Sequence, residues 1–88
     1  MTEMYRILYT RKALRTLRKM PREVAQRVQD RLEQIAKDPF DRHPNVTKLQ
    51  GRDGYRLRIG DWRVIYELDT TNRQLIVLVV GPRGSVYR

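Results

Sequence analysis

The alternation of apolar and polar side chains is most regular between Gly54 and Tyr66, GYRLRIGDWRVIY. Tyr55, Leu57 and Ile59 alternate with Arg56 and Arg58, and Trp62, Val64 and Tyr66 alternate with Arg63 and Ile65. A two-residue period marks a half-buried strand, and Gly60-Asp61 between the two runs suits a tight hairpin turn. With those two residues as the loop, Ile59 faces Trp62, Arg58 faces Arg63 and Arg56 faces Ile65. Two guanidinium groups then stand directly opposite each other, which destabilises the ladder. An anion held between the arms turns that repulsion into a bidentate clamp.

The flanking segments carry other periods. Tyr5 to Tyr9 (YRILY) is aromatic and β-branched, and predicts a first strand. Thr10 is placed to cap a helix in which Ala13, Leu14, Leu17 and Met20 fall at helical spacing, with Arg and Lys between them. Pro21 punctuates at a position that a first helical turn tolerates. Val24, Val28, Leu32 and Ile35, with Ala25 and Ala36 beside them, predict a longer amphipathic helix that stops at Asp38-Pro39. The two helices form a hairpin whose apolar stripes are core and whose basic faces are solvated surface. Phe40 to Thr47 has no period and contains Pro44, so it reads as a loop. Asp69 to Arg73 supplies turn residues, and Gln74 to Val80 (QLIVLVV) is apolar at consecutive positions. That run predicts a central strand buried on both faces. The expected fold is α+β in one domain over residues 1–88: a strand, a two-helix hairpin and a three-strand meander in a mainly antiparallel sheet.

Composition narrows the function. Nineteen Lys and Arg against ten Asp and Glu give a formal charge of +9 on 88 residues, which attracts polyanions, nucleic acid first among them. Arginine dominates, and its planar fork suits phosphate and bases better than a diffuse membrane attraction. There is no cysteine, so disulfides and thiolate metal sites are ruled out and the cytoplasm is the expected location. No apolar run approaches the roughly 20 residues of a membrane span, and the amino-terminal apolar segment is too short for a signal peptide. His43 is the only histidine and reads as a surface residue without a partner for metal binding.

The inventory also removes reaction types. No GxSxG, Gly-rich phosphate loop or carboxylate cluster is present, so neither a metal nor another cofactor is expected. The concentration of Arg56, Arg58, Arg63 and Arg83 with tyrosines nearby is what metal-free RNA cleavage needs. There the ribose 2′-hydroxyl is the nucleophile, and the protein positions the phosphate, stabilises its charge and moves protons.

Lys48-Leu49-Gln50-Gly51, the run YRLRIGDWRVIYEL from Tyr55 to Leu68, the strand end VGPR from Val80 to Arg83, and Val86-Tyr87 together resemble the RelE/ParE superfamily of toxin-antitoxin toxins. The resemblance covers essentially the whole chain. Arg63, Arg83 and Tyr87 point to the RelE branch, whose members enter the ribosomal A site and cut the mRNA codon there. The resemblance implies that Arg63 and Arg83 hold the scissile phosphate and that Tyr87 orients the substrate and takes part in proton transfer. It implies RNA contacts for Lys48, Arg56 and Arg58. Well-known members carry lysines where Arg56 and Arg58 stand, and arginine does not readily surrender a proton. The general base is therefore sought first at Tyr87, its pKa lowered by surrounding arginines, and second at Lys48. The partners implied are mRNA, the ribosome and an acidic antitoxin that folds on binding, with operator DNA reached only through the antitoxin complex. Two other functions remain open: a ParE-like toxin that poisons gyrase without cleaving phosphate, and a basic RNA-binding or ribosome-binding module without catalysis.

Overall fold

The computed structural model describes residues 4–82. Its elements run β1 (Arg6–Tyr9), α1 (Arg11–Lys19), α2 (Arg22–Lys37), β2 (Val46–Lys48), β3 (Tyr55–Ile59), β4 (Trp62–Asp69) and β5 (Gln74–Pro82). The strands form one mixed sheet in the order β1-β5-β4-β3-β2. β1 pairs with β5 in parallel, and every other neighbour is antiparallel. The expected α+β architecture is present, with β2 as an added edge strand.

Local chemistry explains the helix boundaries. The Thr10 side chain accepts the Ala13 N–H at 3.1 Å, and its own hydroxyl donates to the Leu78 carbonyl at 2.7 Å. One residue thus starts α1 and ties it to β5. α1 has no acid in its first turn, while Arg18 and Lys19 lie in its last, where the helix dipole favours cations. Pro21 is the N-cap of α2, one position before the helix proper, and Asp38 is its C-cap. Ala13, Leu17 and Met20 from the first segment join Val28, Leu32, Ile35 and Ala36 of α2 in a core against Leu57, Ile59, Val64, Tyr66, Leu75, Val77 and Val80. Each fully shut-in Leu or Ile contributes about 1.5–3 kcal/mol relative to exposure.

Three expectations are corrected. Leu14 is 37% exposed and lies outside the core, because it sits at the margin of a stripe that Ala13, Leu17 and Met20 already fill. The segment read as a loop from Phe40 to Thr47 gives its last two residues to β2, which pairs Val46 with Leu57, Thr47 with Arg56 and Lys48 with Tyr55. Three residues are too few to show a period. The run QLIVLVV is central, yet it is closed on the helix side alone: Leu75, Val77 and Val80 are buried while Ile76, Leu78 and Val79 are half-buried. The register between β4 and β5 shifts at Ile65/Tyr66, with Ile65 opposite Val79 and Tyr66 opposite Val77. Leu78 is the extra residue of this bulge, which moves Val80 onto the face of Val77.

Candidate nucleic-acid interface

The hairpin pairs rung for rung as its alternation requires: Arg56 with Ile65, Leu57 with Val64, Arg58 with Arg63 and Ile59 with Trp62. Gly60 has φ +57, and a left-handed residue at the first loop position alone is the pattern of a type II′ turn, which matches strand twist. Leu57, Val64 and Tyr66 enter the core shared with the helices. Arg56, Arg58, Arg63 and Ile65 therefore occupy the opposite face of the sheet.

On that face the opposed arginines resolve their repulsion by parting. Arg63 Nη1 donates to the Gly60 carbonyl at 3.2 Å and to the Trp62 carbonyl at 3.1 Å, back toward the turn. Arg58 Nη2 reaches Asn45 Oδ1 at 3.4 Å, at the residue that leads into the edge strand β2. The two heads thus have different partners, turn carbonyls for Arg63 and the Asn45 side chain for Arg58. Asn45 has φ +63, a conformation that asparagine tolerates better than most residues. Its carbonyl also accepts the Arg58 backbone N–H at 3.0 Å, continuing the β2–β3 ladder. The sequence signal for Asn45 is only its place after Pro44, both being turn-forming residue types.

Further along the same face, Thr47, Lys48, Leu49, Gln50, Arg52, Arg56 and Ile65 line a groove of about 570 Å³. Ile65 forms its apolar floor at 3% exposure. Lys48 shares its rung with Tyr55 rather than Arg56, yet it borders this groove. The loop that shapes the groove turns at Gly54, whose φ is +116 and where an added Cβ would lie 3.0 Å from the Tyr66 carbonyl oxygen. Arg83 and Tyr87 lie outside the described residues; of the other expected site residues the sheet puts Arg56, Arg58 and Arg63 on one face, while Lys48, on the Tyr55 rung, meets only Arg56 of them, at the groove. His43 donates from Nε2 to the Asp38 carbonyl at 2.7 Å, a role in shaping the 38–45 loop. Among the described residues, no three His, Cys, Asp or Glu side chains group in a way that could hold a metal ion, and no helix is long and apolar enough to cross a membrane.

The aromatic residues of the hairpin face inward. Tyr55 and Tyr66 stack with ring centroids 5.3 Å apart and planes 19° from parallel, and Tyr55 and Trp62 pack against the core. Burial pushes the Tyr66 hydroxyl well above its ordinary pKa, with neighbouring Tyr55 adding to the shift. The packing of these rings is structural.

A sequence model of the family described as the ParE toxin of type II toxin-antitoxin systems, parDE, matches residues 7–87. The chain belongs to that family. It is a type II toxin of the RelE/ParE superfamily, one half of a toxin-antitoxin pair. Among solved structures, the toxin is similar to the archaeal RelE of the RelE–RelB complex from Pyrococcus horikoshii. That match has 29% identity over 94% of the toxin and 99% of the archaeal chain, with a TM-score of 0.80. The isolated E. coli RelE toxin matches at 25% identity over 94% of the toxin and 90% of that chain, with a TM-score of 0.78. A YoeB/ParE toxin from Agrobacterium tumefaciens shares the fold at 13% identity, covering 89% of the toxin and 98% of the other chain at a TM-score of 0.77. No curated protein matches the sequence.

Proposed function

We propose that the toxin is a metal-free endoribonuclease that cuts mRNA in the ribosomal A site and so stops translation. The observation that carries this reading is the placement of Arg56, Arg58 and Arg63 together on the sheet face turned away from the helical core. Arginines that contribute nothing to the core, two of them opposite each other on one rung, suit an anionic substrate. In this mechanism Arg63 and Arg83 grip the scissile phosphate and stabilise the charge that develops as the 2′-hydroxyl attacks. Arg56, Arg58 and Lys48 hold the RNA strand. Tyr87 orients the substrate and serves as the first candidate for the base, with Lys48 the second, since arginine keeps its proton. The antitoxin is an acidic segment that folds onto the toxin in the cytoplasm and neutralises these arginines; the RelB-bound state of the Pyrococcus relative supports such a partner. Operator DNA is reached through that complex.

A second reading is favoured by the matching family model itself, which is that of ParE: a toxin that poisons gyrase and cleaves no RNA. Mapping mRNA 5′ ends in a purified translation system separates the two. Cuts within A-site codons that require ribosomes are expected, weakened by about 10²–10³ in rate in Arg63→Ala and also suppressed in Tyr87→Phe. Intact mRNA with unimpaired translation, together with gyrase-dependent DNA breaks, would overturn the nuclease reading.

A further inference from the structure

Beside the hairpin turn, Arg27, Asp30 and Arg31 of α2 meet Asn45, Arg58, Ile59 and Gly60 around a pocket of about 190 Å³. It differs from the groove near Arg56 in both lining and location. Three guanidinium groups border it against one carboxylate. Asp30 is engaged on its own helix, accepting from Gln26 Nε2 at 3.0 Å. Two of the arginines are held by the same loop: Arg31 donates to the Pro44 carbonyl and Arg58 to the Asn45 side chain. Arg27, one helical turn from Arg31, makes no hydrogen bond or ion pair with a described residue. It lines the pocket beside Arg31.

We infer that this pocket is a second phosphate site, which seats one backbone phosphate of a single-stranded polynucleotide on Arg27, Arg31 and Arg58, apart from the phosphate held at Arg63. The inference rests on the polynucleotide reading above and assigns Arg58 to strand positioning. The different partners of the two opposed guanidiniums are its geometric basis: Arg63 turns back to the turn carbonyls, and Arg58 turns to Asn45, which lines the pocket with Arg27 and Arg31. Pinning by Pro44 and Asn45 lowers the ordering cost of a bidentate grip. A continuous strand carries phosphates at regular intervals, so one strand crossing the Arg58–Arg63 rung can load both sites. An acidic peptide is the competing occupant, and the test addresses it.

The test is equilibrium binding of a labelled single-stranded RNA oligonucleotide to the full chain, without ribosomes, across a salt series. Each phosphate contact contributes about −0.7 to the slope of log K against log salt for single strands. Arg27→Gln, which removes no hydrogen bond to described protein groups, and Arg27→Gln/Arg31→Gln should each weaken binding, the double by roughly tenfold at low salt. In the double variant the slope should shrink by about 0.7. Adding Arg58→Gln to the double should change little more, whereas adding Arg63→Gln should subtract a further contact. Overturning results are an unchanged slope in the double variant, additivity of Arg58 with Arg27 and Arg31, or no salt-dependent binding by the parent chain. Loss of oligoglutamate binding with RNA binding intact would reassign the pocket to an acidic protein and also overturn the inference. Absence of A-site cleavage would sink the nuclease reading alone, since no step of this test requires cleavage.

Discussion

On the helix-covered face of the sheet, Leu57, Val64, Leu75 and Val77 are fully closed off from solvent; one residue along the same strands, Arg56, Arg58 and Arg63 stand on the open face. The two faces are built by one backbone and one register, so they cannot be changed independently by shifting the chain. A slip of one residue would put guanidiniums in the core and leucine in water. The closed face therefore enforces the register on which the open face depends. In return, the open face carries a like-charge rung, Arg58 opposite Arg63, that adds nothing to stability.

The contrast is broken most strongly at Leu57, between the two arginines of β3. Leu57→Ala should cost about 2–5 kcal/mol of unfolding free energy in urea titration, and a cost under about 1 kcal/mol would mean that the closed face does not set the register. Gly54→Ala forces a side chain onto a left-handed backbone and toward the Tyr66 carbonyl, so a loss of about 1–3 kcal/mol is expected by the same titration. Tyr66→Phe sharpens the contrast through pH. The buried hydroxyl keeps its proton in the fold at pH values where the unfolded chain, near its ordinary pKa of about 10, releases it. Stability from this group is full below about pH 10 and falls as pH rises further. The phenylalanine variant should accordingly lose stability less steeply in alkali, as read from thermal melts at a series of pH values. Smallest of all, Arg58→Ala on the open face should move stability by no more than about 0.5 kcal/mol in either direction.

The hairpin was legible in the sequence down to each pairing because a strict period and a two-residue turn leave one register. Thr10 was legible too, since its cap role depends on neighbours three residues away. What escaped notice depends on distant or crowded contacts. β2 is defined by Leu57, Arg56 and Tyr55 across the ladder rather than by its own three residues. The bulge at Leu78 hides inside an unbroken apolar run, where no polar residue marks a change of face. Arg27 and Arg31 read as solvated helix positions because nothing in α2 tells which part of its polar side will lie beside the Gly60 turn. Charge was visible at once, while convergence of charge awaited the fold.

The parallel pairing of β1 with β5 joins residues 6–9 to residues 74–77. β5 also lies between β1 and β4, so the first strand has no place in the sheet until the last one exists. During synthesis at roughly 5–20 residues per second, the helices and the hairpin emerge before β5. The sheet can close only once nearly the whole described chain has left the exit tunnel. Order of manufacture thus delays the finished toxin: every partial product, however well its hairpin forms, lacks the strand that joins its two ends.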